Sequence, residues 1–424
     1  MTRHEDVPID GAMESTRKWR IVGPGLVVAA TGIGAGDLVA TLVAGSRFGY
    51  GLLWAAVLGV IIKIALVEGA GRWTLATGKS IFEGWRSLGL WTTIYFAPYI
   101  VIWGFVYGAA AMSSTALPLV ALFPEVDLRV FAISAGVLGA AMVWFGKYKI
   151  FEKVIAVLVG IMFVTVVGAA IVTLPNLGDI ATGLVPRIPE GGLFYTLGIA
   201  GGVGGTITLA AYGYWLREKG WVAPRWMKVM RLDNGVAYVM SGVFVIAMLV
   251  VGAELLYSAG ITLADGERGL LDLADVLGER YGAFMATFFL IGFIATSFSS
   301  ILGVWNGVSL MFADFVGELR GLDKDDPRRR IGGLYYRIFI VILTVPPIPL
   351  LFLDQPIGLI VAYGVLGALF MPFLAITLLV LLNSKRVPKQ WRNGWFANLV
   401  LGVCAALFIV LGGYQLLSAI PGVL

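Results

Sequence analysis

Eleven long apolar segments, spread from one end of the chain to the other, constrain its fold more than any other feature. They lie near 21–44, 51–76, 92–122, 128–146, 151–174, 192–216, 233–257, 281–316, 335–353, 357–382 and 396–419. An apolar run of about 18 or more residues can cross a bilayer as a helix. Only 13% of the residues are charged and the mean hydropathy is +0.89, whereas soluble domains carry about 25% charged residues. We therefore predict an all-α polytopic membrane protein.

The lysines and arginines between these segments predict the orientation of the chain. With a cytoplasmic N-terminus, most of the 31 lysines and arginines fall on the inner side, as the positive-inside rule requires. Segment 1–20 is then a cytoplasmic tail, Arg328 lies inside and Leu424 lies outside, in what we expect to be a bacterial inner membrane. The basic cluster 324–330 is interleaved with acids beside the membrane, so we expect it to meet lipid headgroups and no nucleic acid.

Two glycine-rich runs interrupt otherwise apolar segments, at 31–37 in the first and 198–206 in the sixth. A spanning helix tolerates unwound backbone only where that backbone is covered by protein or lines a cavity. The first run ends in Asp37, and an ionisable side chain at that depth marks a functional site by default. Paired, glycine-interrupted spans in the two halves of a chain are the best sequence pointer to the substrate site of a transporter.

The candidate substrate-binding residues come from these two runs. They are Thr31, Gly34, Gly36, Asp37, Gly204, Gly205, Thr206 and Thr208. Asp37 is the candidate metal ligand, because one carboxylate with hydroxyl and carbonyl oxygens suits a hard, partly hydrated cation such as Mg²⁺. Alternatively, Asp37 caps the helix that follows it at Leu38, and the two roles are compatible.

Three charged residues in the second segment are candidates for gating or charge relay. Glu68 and Arg72 are four residues apart, a spacing that predicts an ion pair near the inner surface. Lys63 lies at mid-segment, where an ammonium group needs a partner or a water-filled cavity. In the central cavity it would repel a divalent cation and favour an anion.

Residues for enzyme chemistry are scarce. His4 is the single histidine and lies in the polar tail, and Cys404 is the single cysteine. Neither glycine run follows a strand, so neither has the context of a nucleotide-binding loop. We expect no enzyme activity and no cofactor, and a small ion or small molecule as the binding partner.

Short motifs along almost the entire chain resemble the Nramp (natural resistance-associated macrophage protein) metal transporters. They are Gly23-Pro24-Gly25, the run ending at Asp37, Ala44-Gly45, Leu52-Leu53-Trp54, Arg72, Thr77-Gly78-Lys79, Phe151-Glu152-Lys153, the segment 183–192, Gly198-Ile199, Arg231-Leu232-Asp233, Ser299-Ser300 and Met371-Pro372-Phe373. The resemblance implies a LeuT-like fold. Its two inverted repeats of five spans would occupy 21–174 and 192–382, with spans 1 and 6 broken at mid-membrane and an additional span 11 at 396–419.

The metal-site motifs of this family do not carry over intact. Where its members have Asp-Pro-Gly-Asn in span 1, this chain has Gly34-Ala35-Gly36-Asp37. Where they have Met-Pro-His in span 6, it has Gly205-Thr206-Ile207 or, with a shifted alignment, Leu209–Ala211. Gly108 and Ala111 replace acidic residues of span 3.

These departures favour a hard divalent cation, Mg²⁺ or Mn²⁺, as the cargo of an Nramp-related secondary transporter. It would work by alternating access and without the usual proton coupling. A small organic solute, including an anionic one, is the alternative cargo on the same fold. A third hypothesis is a sensor or scaffold that binds a ligand without moving it.

Overall fold

The computed structural model describes residues 23–145, 148–173, 176–202, 205–258, 268–353 and 356–418, and this part of the chain is nearly all helical. Span 1 is divided into α1 (Pro24–Gly32) and α2 (Ala35–Phe48). Spans 2 to 5 and the short helices beside them are α3 (Leu53–Thr77), α4 (Ile81–Arg86), α5 (Leu90–Leu122), α6 (Leu128–Phe145), α7 (Tyr148–Val172) and α8 (Leu177–Gly183). The predicted tail at 1–20 and Leu424 lie outside the described residues.

The second half of the chain follows a similar order. Span 6 is divided into α9 (Leu193–Gly202) and α10 (Thr208–Glu218). The later helices are α11 (Met227–Gly252, span 7, extended by a π-helical turn at Ala253–Tyr257), α12 (Arg268–Tyr281), α13 (Ala283–Leu319, span 8), α14 (Leu334–Thr344, span 9), α15 (Pro356–Asn383, span 10) and α16 (Trp395–Ser418, span 11).

Seven helical stretches in the described part are long and apolar enough to cross a membrane. They correspond to the predicted spans 2, 3, 4, 5, 7, 8 and 9. Spans 1 and 6 are broken into shorter helices, and α15 and α16 supply spans 10 and 11. The prediction of an all-helical integral membrane protein is therefore confirmed.

Local sequence explains the turn between spans 2 and 3. Helix α3 ends at Gly78, which has a positive φ of 66° that residues with a Cβ rarely adopt. Helix α4 then begins with a capping box: the Ser80 hydroxyl accepts from the Glu83 amide, and the Glu83 carboxylate accepts from the Ser80 amide.

The two halves of span 1 lie at the centre of the helix packing. Helix α1 packs against α7, α10, α11 and α13, while α2 packs against α9 and α11. Helix α3 lies against both halves of span 6 and against α11. The interruptions of spans 1 and 6 are therefore surrounded by helices on several sides, which is the setting that unwound backbone requires in a membrane.

Candidate functional site

Both predicted helix interruptions are present, and both are shorter than the glycine-rich runs suggested. In the first break only Ile33 and Gly34 separate α1 from α2. In the second break α9 continues to Gly202 and α10 begins at Thr208. Gly36, Gly198, Gly201 and Gly202 remain helical, because a glycine inside a helix costs only about 1 kcal/mol, which packing against neighbouring helices can offset.

The two breaks touch each other through glycine backbone. Gly205 has a φ of +96°, so the chain turns there in a conformation that favours glycine. A Cβ added to Gly205 would lie 2.9 Å from the Cα of Gly32 and 2.4 Å from Oγ1 of Thr208. The first and second breaks therefore meet in one place at the centre of the helix bundle.

Hydroxyl groups of span 8 face the first break. Ser300 Oγ donates to the carbonyl oxygen of Thr31 at 2.9 Å and lies 2.7 Å from the hydroxyl of Tyr107 in span 3. A Cβ on Gly34 would lie 2.6 Å from Ser300 Oγ, so Gly34 lets the serine approach the backbone. The Ser297 hydroxyl, one turn earlier, is buried and has no hydrogen-bond partner within the described residues.

A small cavity lies beside these groups and has room for about one water molecule. It is lined by Gly34, Tyr107, Ala110, Ala111, Ser297, Ser300 and Tyr363. Its polar atoms belong to neutral hydroxyls, and Ala111 stands where the Nramp resemblance placed an acidic residue. This cavity can hold about one water molecule, and its lining supplies no negative charge.

Lys63 reaches the second break. Its side chain is fully buried, and its ammonium group donates to the carbonyl oxygen of Gly205. The same Nζ lies 3.5 Å from Sδ of Met371 in span 10. The sequence argument that Lys63 could lie at the centre of the molecule agrees with this position, whereas Met371 was not predicted as a site residue.

Thr206 and Thr208 are both buried at the start of α10, and their hydroxyls have no partner in the described part of the chain. Thr206 packs against Gly367 of span 10, where an added Cβ would lie 2.4 Å from Cγ2 of the threonine. Two unsatisfied hydroxyls in a buried position are costly unless water or a ligand completes them. They remain candidate ligand contacts.

The other predicted site residues are placed as follows. The Thr31 hydroxyl donates to Val27 O at 2.6 Å inside its own helix and packs against Gly303 of span 8, while the Thr31 carbonyl oxygen accepts from Ser300 of the same span. Gly36 and Asp37 lie in the first turn of α2, which begins at Ala35. The Asp37 side chain lies outside the described part, as does Gly204. The alternative role of Asp37 as the N-cap is wrong, because the helix begins two residues before it.

The charged residues of span 2 do not form one group. Glu68 pairs with Arg72 at 3.1 Å, as the sequence predicted, and also with Arg231 of span 7 at 2.9 Å. Arg72 further donates to the carbonyl oxygen of Trp391, before span 11. This cluster ties spans 2, 7 and 11 together, more than one helical turn from Lys63.

The end of the bundle where span 1 begins is held by a buried carboxylate that sequence analysis did not single out as a site residue. Asp233 of span 7 is fully buried and accepts from the amides of Gly23 and Gly25 at 2.9 and 2.5 Å. The hydroxyl of Tyr212 in α10 donates to the same carboxylate at 2.9 Å. An ion pair between Glu152 and Lys219 lies next to Gly23. Spans 1, 5, 6 and 7 are thus joined here.

Polar contacts also join α10 to span 8 toward the same end. Trp215 donates to the side-chain oxygen of Asn306 at 2.9 Å, and Asn306 donates to the Tyr336 hydroxyl at 3.1 Å. About two turns further along span 8, Asp314 accepts from the Tyr214 hydroxyl at 2.7 Å. The second half of span 6 is therefore fastened to both span 7 and span 8.

The sequence matches the family model described as "Natural resistance-associated macrophage protein-like" over residues 25–418. The chain belongs to the Nramp family. Two curated relatives of this Nramp protein, from Mycobacterium leprae and Bacillus subtilis, are each named "Divalent metal cation transporter MntH". The M. leprae protein is 26% identical over 94% of this chain and 91% of its own length. The B. subtilis protein is 25% identical over 94% of this chain and 92% of its own length.

Solved structures show the same architecture. A mutant of the Eremococcus coleocola manganese transporter superposes on this Nramp protein with a TM-score of 0.77 at 18% identity, covering 97% of this chain and 89% of that chain. The transporter MhsT, in complex with L-phenylalanine, gives a TM-score of 0.60 at 16% identity, covering 93% and 98%. At these identities the likeness establishes the fold alone, and it confirms the predicted LeuT-like class.

No group of three or more His, Cys, Asp and Glu side chains in the described part of this Nramp protein is placed to hold a metal ion. At the two breaks, the oxygen atoms that the structure describes are those of hydroxyls and backbone carbonyls. Such atoms bind hard cations weakly and through water rather than as a tight cage of charged ligands.

Proposed function

We propose that this protein is a secondary transporter that carries a hard divalent cation, Mg²⁺ or Mn²⁺, across the membrane by alternating access. The observation that carries the proposal is the contact between the two helix breaks at Gly32 and Gly205. It brings two interrupted spans together at the centre of the bundle, where LeuT-like transporters bind their substrates. The names of the MntH relatives support a divalent cation as the cargo.

The donor atoms near the breaks favour a hard ion. Thr206, Thr208 and Ser297 offer buried hydroxyls without partners in the described part of the chain. Asp37, in the first turn of α2, is the proposed carboxylate ligand. Mg²⁺ keeps several waters and needs few protein oxygens, and Mn²⁺ accepts the same oxygen ligands.

The proposed moving parts are spans 1, 2, 6 and 7, which rock against the rest of the two repeats at 21–174 and 192–382, with 396–419 as the additional span. We place the N-terminus in the cytoplasm. The contacts of Asp233 with the start of span 1, and of α10 with span 8, then form a closed cytoplasmic gate that must open for release.

Proton coupling of the usual kind is not part of the proposal. Gly108 packs against the carbonyl oxygen of Leu343 in span 9, and Ala111 lines the small cavity. Neither position can carry a proton. Cargo would therefore follow its own gradient and the membrane potential.

Two observations favour a second cargo. The ammonium group of Lys63 is buried at the second break, where it repels cations, and the aromatic rings of Tyr107 and Tyr363 pack together beside the first break. These features suit a small organic solute with a negative group, which the N-terminal amides of α10 would also attract.

The deciding experiment is flux into liposomes that contain the purified protein. Uptake of Mg²⁺, Mn²⁺ and a panel of small organic anions is compared in the wild type and in Asp37→Ala, with protein-free liposomes as the baseline. Saturable divalent cation uptake that Asp37→Ala abolishes supports the proposal. Uptake of an anion but of neither cation supports the second cargo, and binding without any uptake indicates a sensor.

A further inference from the structure

Met371 places a sulfur atom at the second break, although the family's methionine position in span 6 holds no methionine here. Met371 is fully buried in α15. Four residues before it, on the same face of that helix, Gly367 packs against Thr206. One face of span 10 therefore covers the second break and brings a thioether to it.

One side chain contacts both the sulfur and a backbone oxygen of the break. Nζ of Lys63 donates to the carbonyl oxygen of Gly205 and lies 3.5 Å from Sδ of Met371. A carbonyl oxygen and a thioether sulfur are a ligand pair that suits softer ions such as Cd²⁺, because thioethers select soft metals. In this structure an ammonium group stands where such an ion would sit.

We propose that Lys63 is a specificity-determining residue that masks a carbonyl–thioether pair, Gly205 O and Met371 Sδ, and so excludes soft transition-metal ions from the second break. The ammonium group engages both ligand atoms and adds a fixed positive charge that repels any cation approaching them. Hard ions do not need the sulfur, so the mask acts mainly against soft ones. This inference rests on the proposed cation transport, because it concerns which cations the site admits.

The test measures Cd²⁺ and Mg²⁺ binding by calorimetry to the purified full-length protein. All variants carry Cys404→Ser, which removes the single thiol that could bind Cd²⁺ elsewhere. In Lys63→Ala we expect Cd²⁺ affinity to rise about tenfold or more relative to Mg²⁺ affinity, a range typical of changes next to metal ligands. In the double variant, Lys63→Ala with Met371→Leu, that relative gain should disappear. Both variants lose the same positive charge, so a difference between them is due to the sulfur.

Two results would overturn the inference. One is a folded Lys63→Ala variant with an unchanged ratio of Cd²⁺ to Mg²⁺ affinity. The other is a gain that persists without the Met371 sulfur. If Lys63→Ala does not fold, Met371→Leu alone decides: it must leave Cd²⁺ binding unchanged, because the sulfur is already masked, and a loss of binding contradicts the inference.

Failure of the proposed function is visible separately. Liposome flux reports whether the wild type moves Mg²⁺ or Mn²⁺, whereas calorimetry reports only which atoms bind Cd²⁺. A protein that moves neither cation, but gains Met371-dependent Cd²⁺ binding in Lys63→Ala, contradicts the proposed cargo and leaves the masking role of Lys63 intact.

Discussion

The carboxylate of Asp233 accepts a hydrogen bond from the backbone amide of Gly23 at 2.9 Å, and so fastens span 7 to the first turn of span 1. This contact crosses 210 residues of sequence and is fully buried. Removing an acceptor from a buried network leaves its donors unsatisfied, at a cost of about 1–3 kcal/mol each. The start of span 1 therefore depends on this one side chain.

Replacing this carboxylate should loosen the gate. In Asp233→Ala we expect lower thermal stability and faster labelling of a cysteine introduced by Val27→Cys, a buried position in α1. The measurement is the rate of reaction with a water-soluble thiol reagent in a Cys404→Ser background. Asp325→Ala, at a carboxylate that is 90% exposed, is the matched control and should change neither quantity. Equal labelling rates in both variants would refute the gate role of Asp233.

Glycine at position 205 should be indispensable. Gly205→Ala places a Cβ against Gly32 at 2.9 Å and requires a φ of +96°; left-handed backbone alone costs roughly 1–2 kcal/mol. We expect loss of uptake and a lower unfolding temperature, measured by liposome flux and thermal unfolding. Gly198→Ala, in the first half of the same span and with open space at its Cβ position, is the control. Similar activity in the two variants would show that the close contact of the breaks is not needed.

The predicted orientation of the chain places one loop residue and the C-terminal residue on opposite sides of the membrane. Arg328 should be cytoplasmic and Leu424 extracellular, because eleven spans follow a cytoplasmic N-terminus. Single cysteines introduced by Arg328→Cys and Leu424→Cys in a Cys404→Ser background are labelled with an impermeant reagent in intact cells and in inverted vesicles. Finding both residues on one side would reject the topology.

Uptake should depend only weakly on an imposed pH gradient. The third span offers Gly108 and Ala111 where a proton relay would need acids, and His4 is the only histidine in the chain. Substrate flux and internal acidification are measured together, in the wild type and in Asp37→Asn and Lys63→Met. Stoichiometric proton entry that survives both substitutions would reveal a relay that these residues do not provide.

The fold was predictable because membrane insertion imposes strong rules on sequence. Apolar length identified the spans, and the glycine runs located both breaks within a few residues. Composition did not predict how many residues are unwound at each break. Gly36 and Gly201 remain helical because neighbouring helices, and not local propensity, decide how far a packed span unwinds.

The candidate site was predictable only in part. Thr206 and Thr208 are predicted site residues because they lie in or next to a glycine run in the sequence. Lys63 is predicted because it is a charged residue at mid-span. Met371 and Asp233 lie far along the chain from the breaks, and the sequence placed them only in short family-like motifs, without a site role. Their importance arises from contacts between helices distant in sequence, which the order of residues along the chain does not reveal.

The contact between Gly32 and Gly205 also has a mechanical consequence. With no side chain between the two backbones, there is no compliant layer to absorb movement, so a shift of one interrupted helix is transmitted directly to the other. Span 1 and span 6 would then move together about the point where Gly32 and Gly205 touch. A side chain at position 205 would push the two interrupted helices apart, because its Cβ would lie 2.9 Å from the Cα of Gly32.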